Sequence, residues 1–317
     1  MELLGIDTSV VEKVARILSR NRSELQRMNI YDNRFYPGSN EDLENILRYF
    51  LVMVAMDHRL SRPGRVYYAC LEDGCYKGAD LLYRLGKKKF DESPDFYNPE
   101  KLSQIRLEEV EKWLSVGEAR PVDLELRTFL LKDLGLKVLK IFEGSVSSII
   151  NSVNNRLHGD GVNPGLVEVL KLFTAYQDPV EKKSMLLAKF LFMRDIFKPV
   201  DKPYIPVDNH LTRIALRTGL VVLSGRLWNK IVNKIEASPE EDVMIRLVVR
   251  EAYSYLSEKS GVSTWELDDH FWNHGRNICL RDEKPLCEKC MFKGVCRARR
   301  NNAFMVVEHL YFNTWFY

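Results

Sequence analysis

Four cysteines near the C-terminal end constrain this chain more than any other feature. They are spaced Cys279-x7-Cys287-x2-Cys290-x5-Cys296. Four thiolates from one short loop can wrap a single metal centre, so such a loop is held by coordination rather than by an apolar core. Two chemistries take four thiolates. Zinc binds them tetrahedrally, often from two Cys-x2-Cys knuckles. Iron–sulfur clusters take four cysteines with uneven spacing. Only one Cys-x2-Cys is present here and the outer arms are unequal, so spacing leaves both open. The other two cysteines, Cys70 and Cys75, have no further ligands nearby in the sequence and read as ordinary buried thiols. Six cysteines, four of them clustered, argue against a secreted disulfide scaffold.

A length of 317 residues allows two domains or one large one. The formal charge of +3 is too small to imply a polyanionic partner. Its distribution says more. Residues 289–300 carry Lys289, Lys293, Arg297, Arg299 and Arg300 with no acid among them, a local basic patch. The N-terminal stretch is amphipathic and charged, with no apolar run of the kind a signal peptide needs. YFLVMVAM is far shorter than the roughly 18–20 residues of a membrane helix. These features predict a soluble, cytoplasmic, monomeric protein with no membrane partner. Only Gln26, Gln104 and Gln177 represent glutamine, a weak thermophile signature.

The helical period dominates. Ser9-x-x-Glu12 reads as a capping box before Val10, Val11, Val14, Ile17 and Leu18. Ser39 or Asn40 can cap a second helix with Leu43, Ile46, Leu47, Phe50, Leu51 and Val54 on its inner face. Residues 88–105 are polar with two prolines and read as a loop. Helices are predicted over 105–117, 122–134, 136–156 and 164–176. Asp178-Pro179-Val180-Glu181 has the pattern of an N-cap followed by proline at the first helical position. Asn209 to about Leu223 reads as a further helix, and Ser238-x-x-Glu241 and Ser263-x-x-Glu266 as two more capped starts. No alternating run is long enough to predict a strand. The expected class is all-α.

The residues around the cysteines narrow the choice. LDDHFWNHGRNIC followed by the four-cysteine loop resembles the C-terminal end of the endonuclease III-like, helix-hairpin-helix superfamily of DNA glycosylases, which carry a [4Fe–4S] loop with the same x2 and x5 spacings. The first gap here is one residue longer than the family's usual gap. A second segment agrees. Pro206-Val207-Asp208-Asn209-His210-Leu211-x-Arg213 resembles the family's Val-Asp-Thr-His-x-x-Arg segment. By this resemblance Asp208 is the catalytic carboxylate; read alone, it is an N-cap. Cleavage of an N-glycosidic bond builds positive charge on the sugar, which a fixed anion stabilises. His210 reads as a structural residue at the helix start.

Bifunctional members of the family use a lysine amine to attack the sugar, after a glycine-rich hairpin. Here Asp178-Pro179-Val180-Glu181 stands in place of that hairpin, as in archaeal glycosylases for oxidised guanine, which carry a Lys-x6-Lys helix. Lys182 and Lys189 match that spacing and share one helix flank. Lys182 ranks first as the Schiff-base former and Lys183 third. A solvated helix start for Lys182 and Lys183, and an ion pair for Lys189, are the alternatives.

The resemblance implies a two-lobed helical glycosylase fold. Residues 1–40 and 206–317 would form the lobe with the cluster loop, and 41–205 a helical barrel. It implies damaged duplex DNA as partner, in a prokaryotic cytoplasm. Arg213, Arg217, Lys289, Lys293 and Arg297 are the expected phosphate contacts. Tyr67, Tyr68, Phe142, Trp265 and Trp272 are aromatic candidates for stacking. His58 and Arg59 end an apolar helix that could face the substrate. Two other functions stay open: an N-glycosidase of free modified nucleosides, favoured by the missing hairpin, and a non-catalytic iron–sulfur nucleic-acid-binding protein.

Overall fold

The computed structural model describes residues 4–62 and 64–317. Among them helices dominate, as the helical period predicts, and the chain divides into two compact units. One unit joins the segment ending at Met28 to Pro203–Thr314; the other comprises Asn29–Lys202 with Trp315–Tyr317. No helix among the described residues is long and apolar enough to cross a membrane.

In the first unit, the helix Thr8–Arg20 packs its Val11, Val14 and Leu18 face on the helix Pro239–Ser260, which contributes Val249, Ala252, Tyr253 and Leu256 to the core. The capping box Ser238–Glu241 forms as the sequence indicates, and so does Ser263–Glu266 before the helix Thr264–Asn277. The first helix starts earlier than expected. Asp7 accepts from the Val10 amide and also from the Ser9 hydroxyl, so the carboxylate takes the cap and Ser9 lies inside the helix. After the helix Asn209–Thr218, Gly219 adopts φ +89 and closes it. Val221–Leu223 then leaves as a strand and pairs antiparallel with Leu4–Ile6, Leu4 opposite Leu223. The predicted helix to Leu223 therefore ends about one turn early.

The second unit is built around the helix Leu43–Met56, capped by Asp42 and buried along almost its whole length. Phe50 meets Phe190 of the helix Lys182–Met193 at 5.6 Å, and Tyr36 and Tyr83 complete the ring cluster. The helix Ala79–Glu92 runs into the segment expected to be a loop. The short Pro99–Gln104 helix follows, with Pro99 at a helix start where its missing N–H costs nothing. One helix, Leu124–Phe142, spans the break predicted at residue 135. Gly135 is not a terminator. A Cβ there would lie 2.5 Å from the Ser103 amide and 2.7 Å from the Pro99 carbonyl, so glycine lets two helices touch. Gly135→Val is expected to cost roughly 3 kcal/mol by overpacking against backbone that cannot move aside, read as a lower urea midpoint.

A short hairpin pairs Tyr68–Leu71 with Gly74–Lys77. Its register sets Cys70 opposite Cys75 with Cα atoms 3.9 Å apart, and the two are joined by a disulfide on an exposed ladder. The reading of these cysteines as buried free thiols is thus corrected. A four-residue gap across a tight turn brings the two cysteines face to face.

Candidate functional site

The lysine helix begins three residues later than the proline pattern suggests. Asp178 is fully buried; its Oδ1 accepts from Val180 N at 3.0 Å and its Oδ2 from Lys182 N at 2.8 Å. The chain turns at Glu181, whose φ of +66 precludes a helical residue there. Burial raises the Glu181 carboxyl pKa, but His158 at 3.0 Å and Lys171 at 3.2 Å outweigh it and hold it below the usual range. The same Glu181 contact raises His158.

Neither Lys182 nor Lys183 is solvated. Lys182, 6% exposed, donates from Nζ to the Asp57 carbonyl at 2.8 Å and lies 3.5 Å from the Asp57 carboxylate. Lys183 is wholly buried, donating to the Ala55 carbonyl at 2.6 Å and lying 3.4 Å from His58 Nδ1. Arg127 donates to the carbonyls of Met56 at 2.6 Å, Arg59 at 2.7 Å and Val122 at 2.9 Å. Three basic side chains thus close the carbonyl end of Leu43–Met56, where unpaired C=O groups and the helix dipole attract positive charge. Burial pushes the Lys183 amine well below its ordinary value, and Lys182 and Arg127 push it the same way. Burial does the same to His58, and Arg127 and Lys183 beside it add to the effect. Lys189 is 1% exposed in the same helix, two turns beyond Lys182 on one flank.

In the other unit, Asp208 holds extended backbone and caps the helix Asn209–Thr218, accepting from Leu211 N at 2.9 Å. Buried Ile205, Pro206 and Val207 anchor the segment before it, so the half-buried carboxylate has a fixed place. His210 Nδ1 lies 3.0 Å from Arg213 Nη2, which can only donate, so the neutral ring carries its proton on Nε2. Burial, with Arg213 beside it, pushes His210 down to about 3. Gly275 makes this approach possible, because a Cβ there would sit 2.7 Å from His210 Cβ.

Arg213 and Arg217 are 1% and 2% exposed, which corrects their reading as phosphate contacts. Arg213 donates to the carbonyls of Cys279 at 3.1 Å and Gly275 at 2.9 Å and pairs with Glu308 at 3.1 Å. Arg217 donates to the carbonyls of Val306 at 2.6 Å and Leu280 at 2.7 Å. Their donors fasten the start of the cysteine loop and the C-terminal strap instead of facing solvent.

The four cysteines are half-buried and free of disulfides. Cys279 Sγ lies 3.3 Å from Arg217 Nη1, Cys290 Sγ 3.3 Å from His274 Nε2, and Cys296 Sγ 3.3 Å from the Arg217 carbonyl. Burial pushes the Cys290 thiol up to about 12, and the other three sulfurs add to the effect. Phe292, buried between Cys290 and Cys296, stacks on Phe271 at 5.3 Å. Among the described residues no three His, Cys, Asp or Glu side chains converge as a single-ion site. By donor type the four thiols are those of a four-cysteine centre, with Arg217 beside Cys279 and His274 beside Cys290.

Of the basic patch, Lys289 and Lys293 are exposed, while the Arg297 guanidinium lies 3.5 Å over the Phe304 ring. Glu288, just outside the patch, pairs with Arg299 at 2.8 Å and lies 3.7 Å from Lys293. Of the aromatic candidates, Tyr67 and Trp265 are buried, Tyr68 is exposed, and Trp272 lies under the Arg276 guanidinium at 4.3 Å. Sequence reasoning missed Arg127. Its signal was an arginine in register with Leu131, Leu134 and Val138 on the buried stripe of its helix.

No protein-family model matches the chain. No curated protein sequence matches it either. Among solved structures, a thermostable thymine-DNA glycosylase aligns with a TM-score of 0.52 at 12% identity, over 92% of this chain and 98% of that one. A trapped endonuclease III–DNA covalent intermediate aligns with a TM-score of 0.46 at 16% identity, over 93% and 96%. A non-covalent endonuclease III–DNA complex gives 0.46 at 15%, over 93% and 95%. The thymine-DNA glycosylase alignment is a likeness of fold: this chain has the all-α fold of that DNA glycosylase.

Proposed function

We propose that this chain is a DNA N-glycosylase of base-excision repair, which hydrolyses the bond between a damaged base and its deoxyribose. The observation that carries the reading is a half-buried carboxylate, Asp208, fixed at a helix start in a chain whose fold is shared with a thymine-DNA glycosylase. As the base departs with the bonding electron pair, positive charge builds on the sugar, and a held carboxylate stabilises it without reorganising. In the hydrolytic path water then adds at C1′ through its oxygen, and the proton it sheds goes to the departed base.

In a lyase path, Lys182 or Lys189 supplies the nucleophile. The amine lone pair forms a C1′–N bond as the C1′–base bond breaks; the nitrogen gives one proton to the departing base, and its remaining pair opens the C1′–O4′ bond to a protonated imine while O4′ takes a proton from solvent. The imine acidifies the C2′–H, and the 3′ phosphate leaves by elimination. The support for this reading is positional: Lys182 and Lys189 lie two turns apart on one flank of the helix Lys182–Met193. Cys279, Cys287, Cys290 and Cys296 would hold a [4Fe–4S] cluster. When bound it supplies a rigid crosslink that shapes the loop carrying Lys289, Lys293 and Arg297. The exposed Lys289 and Lys293 are the proposed phosphate contacts, and their basic charge makes binding fall with salt.

The test uses anaerobically purified, cluster-loaded protein and duplexes each carrying one damaged base, with borohydride to trap an imine. Base release is expected on at least one duplex. A trapped complex that vanishes in Lys182→Gln or Lys189→Gln identifies the nucleophile. Release without trapping limits the enzyme to hydrolysis. No release from any duplex sinks the reading.

A further inference from the structure

His274 touches two of the four cysteines at once. Its ring Nε2 lies 3.3 Å from Cys290 Sγ, and its backbone carbonyl accepts from the Cys279 amide at 2.8 Å. The two cysteines are far apart along the loop, yet one residue in the last turn of Thr264–Asn277 holds both. The ring is held in turn. His274 is 7% exposed, and its imidazole meets the Phe292 ring at 5.4 Å; Phe292 follows Cys290 by two residues and is completely buried.

We propose that His274 is a positioning residue for the cluster, donating its Nε2–H to the Cys290 sulfur and so setting both the place and the electron density of that ligand. This rests on the cluster reading above. The direction of the hydrogen bond follows from chemistry. A metal-bound cysteine is a thiolate and has no S–H to give. The hydrogen in this contact therefore belongs to the imidazole, as the tautomer with its proton on Nε2. An N–H donor to a ligating sulfur draws negative charge from it, which favours the more negative, reduced cluster. It also occupies the lone pair that a proton would use when the ligand is lost. Arg217 Nη1 stands in the same relation to Cys279 Sγ at 3.3 Å, so two of the four sulfurs have a side-chain donor.

The experiment uses the full chain reconstituted with iron and sulfide. His274→Phe keeps an aromatic ring and removes the donor; His274→Gln puts an amide donor back near the same position. The one-electron midpoint potential by film voltammetry is expected to fall in His274→Phe and to return most of the way in His274→Gln. Bleaching of the cluster by a strong iron chelator is expected to be about tenfold faster in His274→Phe, the scale of one hydrogen bond to a charged acceptor. Equal midpoints in all three proteins overturn the inference. If His274→Phe takes up no cluster, the wild-type protein still decides. Pulsed EPR of the reduced, ¹⁵N-histidine-labelled chain must show coupling to a histidine nitrogen, and its absence overturns the inference. Iron and sulfide analysis of the wild type comes first. A chain that holds neither overturns the cluster reading, and this inference with it, before any variant is made.

Discussion

Replacing Asp208 by asparagine is expected to slow base release from a damaged duplex by about 10²–10⁴-fold, the usual contribution of a positioned catalytic carboxylate. Stability should barely move. Asp208 caps its helix by accepting from Leu211 N, and the asparagine carbonyl oxygen can do the same. Duplex affinity should also hold, because one neutral acceptor replaces a single negative charge. Asp208→Ala separates the two roles. It should lose the same rate and in addition about 1 kcal/mol of stability with the cap. Single-turnover base release and thermal unfolding on the same preparations read both. A rate for Asp208→Asn within a few-fold of wild type would reduce Asp208 to a helix cap and move the search to another carboxylate.

Arg127→Met is expected to destabilise the Asn29–Lys202 unit by roughly 4 kcal/mol, a loss that single substitutions seldom reach. One fully buried guanidinium satisfies the carbonyls of Met56, Arg59 and Val122. Methionine fills much of the volume but donates nothing, and each buried acceptor left bare costs on the order of 1–3 kcal/mol. Burial holds the Arg127 pKa down to about 10. The measurement is urea unfolding followed by a probe in that unit. A midpoint unchanged within error would mean that water reaches those carbonyls after all.

How much of this was legible beforehand depends on how local the cause was. Helix starts that need only a side chain and the three residues after it were readable: Ser238, Ser263 and Asp208 cap where expected. Asp7 pre-empted Ser9 because two good caps lay two residues apart and the carboxylate accepts both from the backbone and from the serine. Gly135 misled because a glycine inside a helix looks like a stop unless the backbone it touches, that of Pro99–Gln104, is known. Arg213 and Arg217 looked like surface cations, since nothing in the sequence showed that Glu308 and the Cys279, Leu280 and Val306 carbonyls would surround them. That Cys279, Cys287, Cys290 and Cys296 share one segment, unpaired by disulfides, agrees with their spacing in the sequence. The basic cluster at the end of Leu43–Met56 was not legible, because Lys182, Lys183 and Arg127 arrive from two helices distant in sequence.

The pairing of Leu4–Ile6 with Val221–Leu223 has a consequence for synthesis of the chain. The first strand leaves the ribosome more than two hundred residues before its partner. At about 5–20 residues per second it waits on the order of ten to forty seconds with its backbone edge unmet. The Asn29–Lys202 unit is complete in that interval except for its last three residues. It can collapse while the N-terminal strand and helix are still unpartnered. The order of translation therefore makes the inserted unit the early folder. It leaves the N-terminal segment exposed to chaperones, or to another copy's strand, until the second half of its own unit emerges.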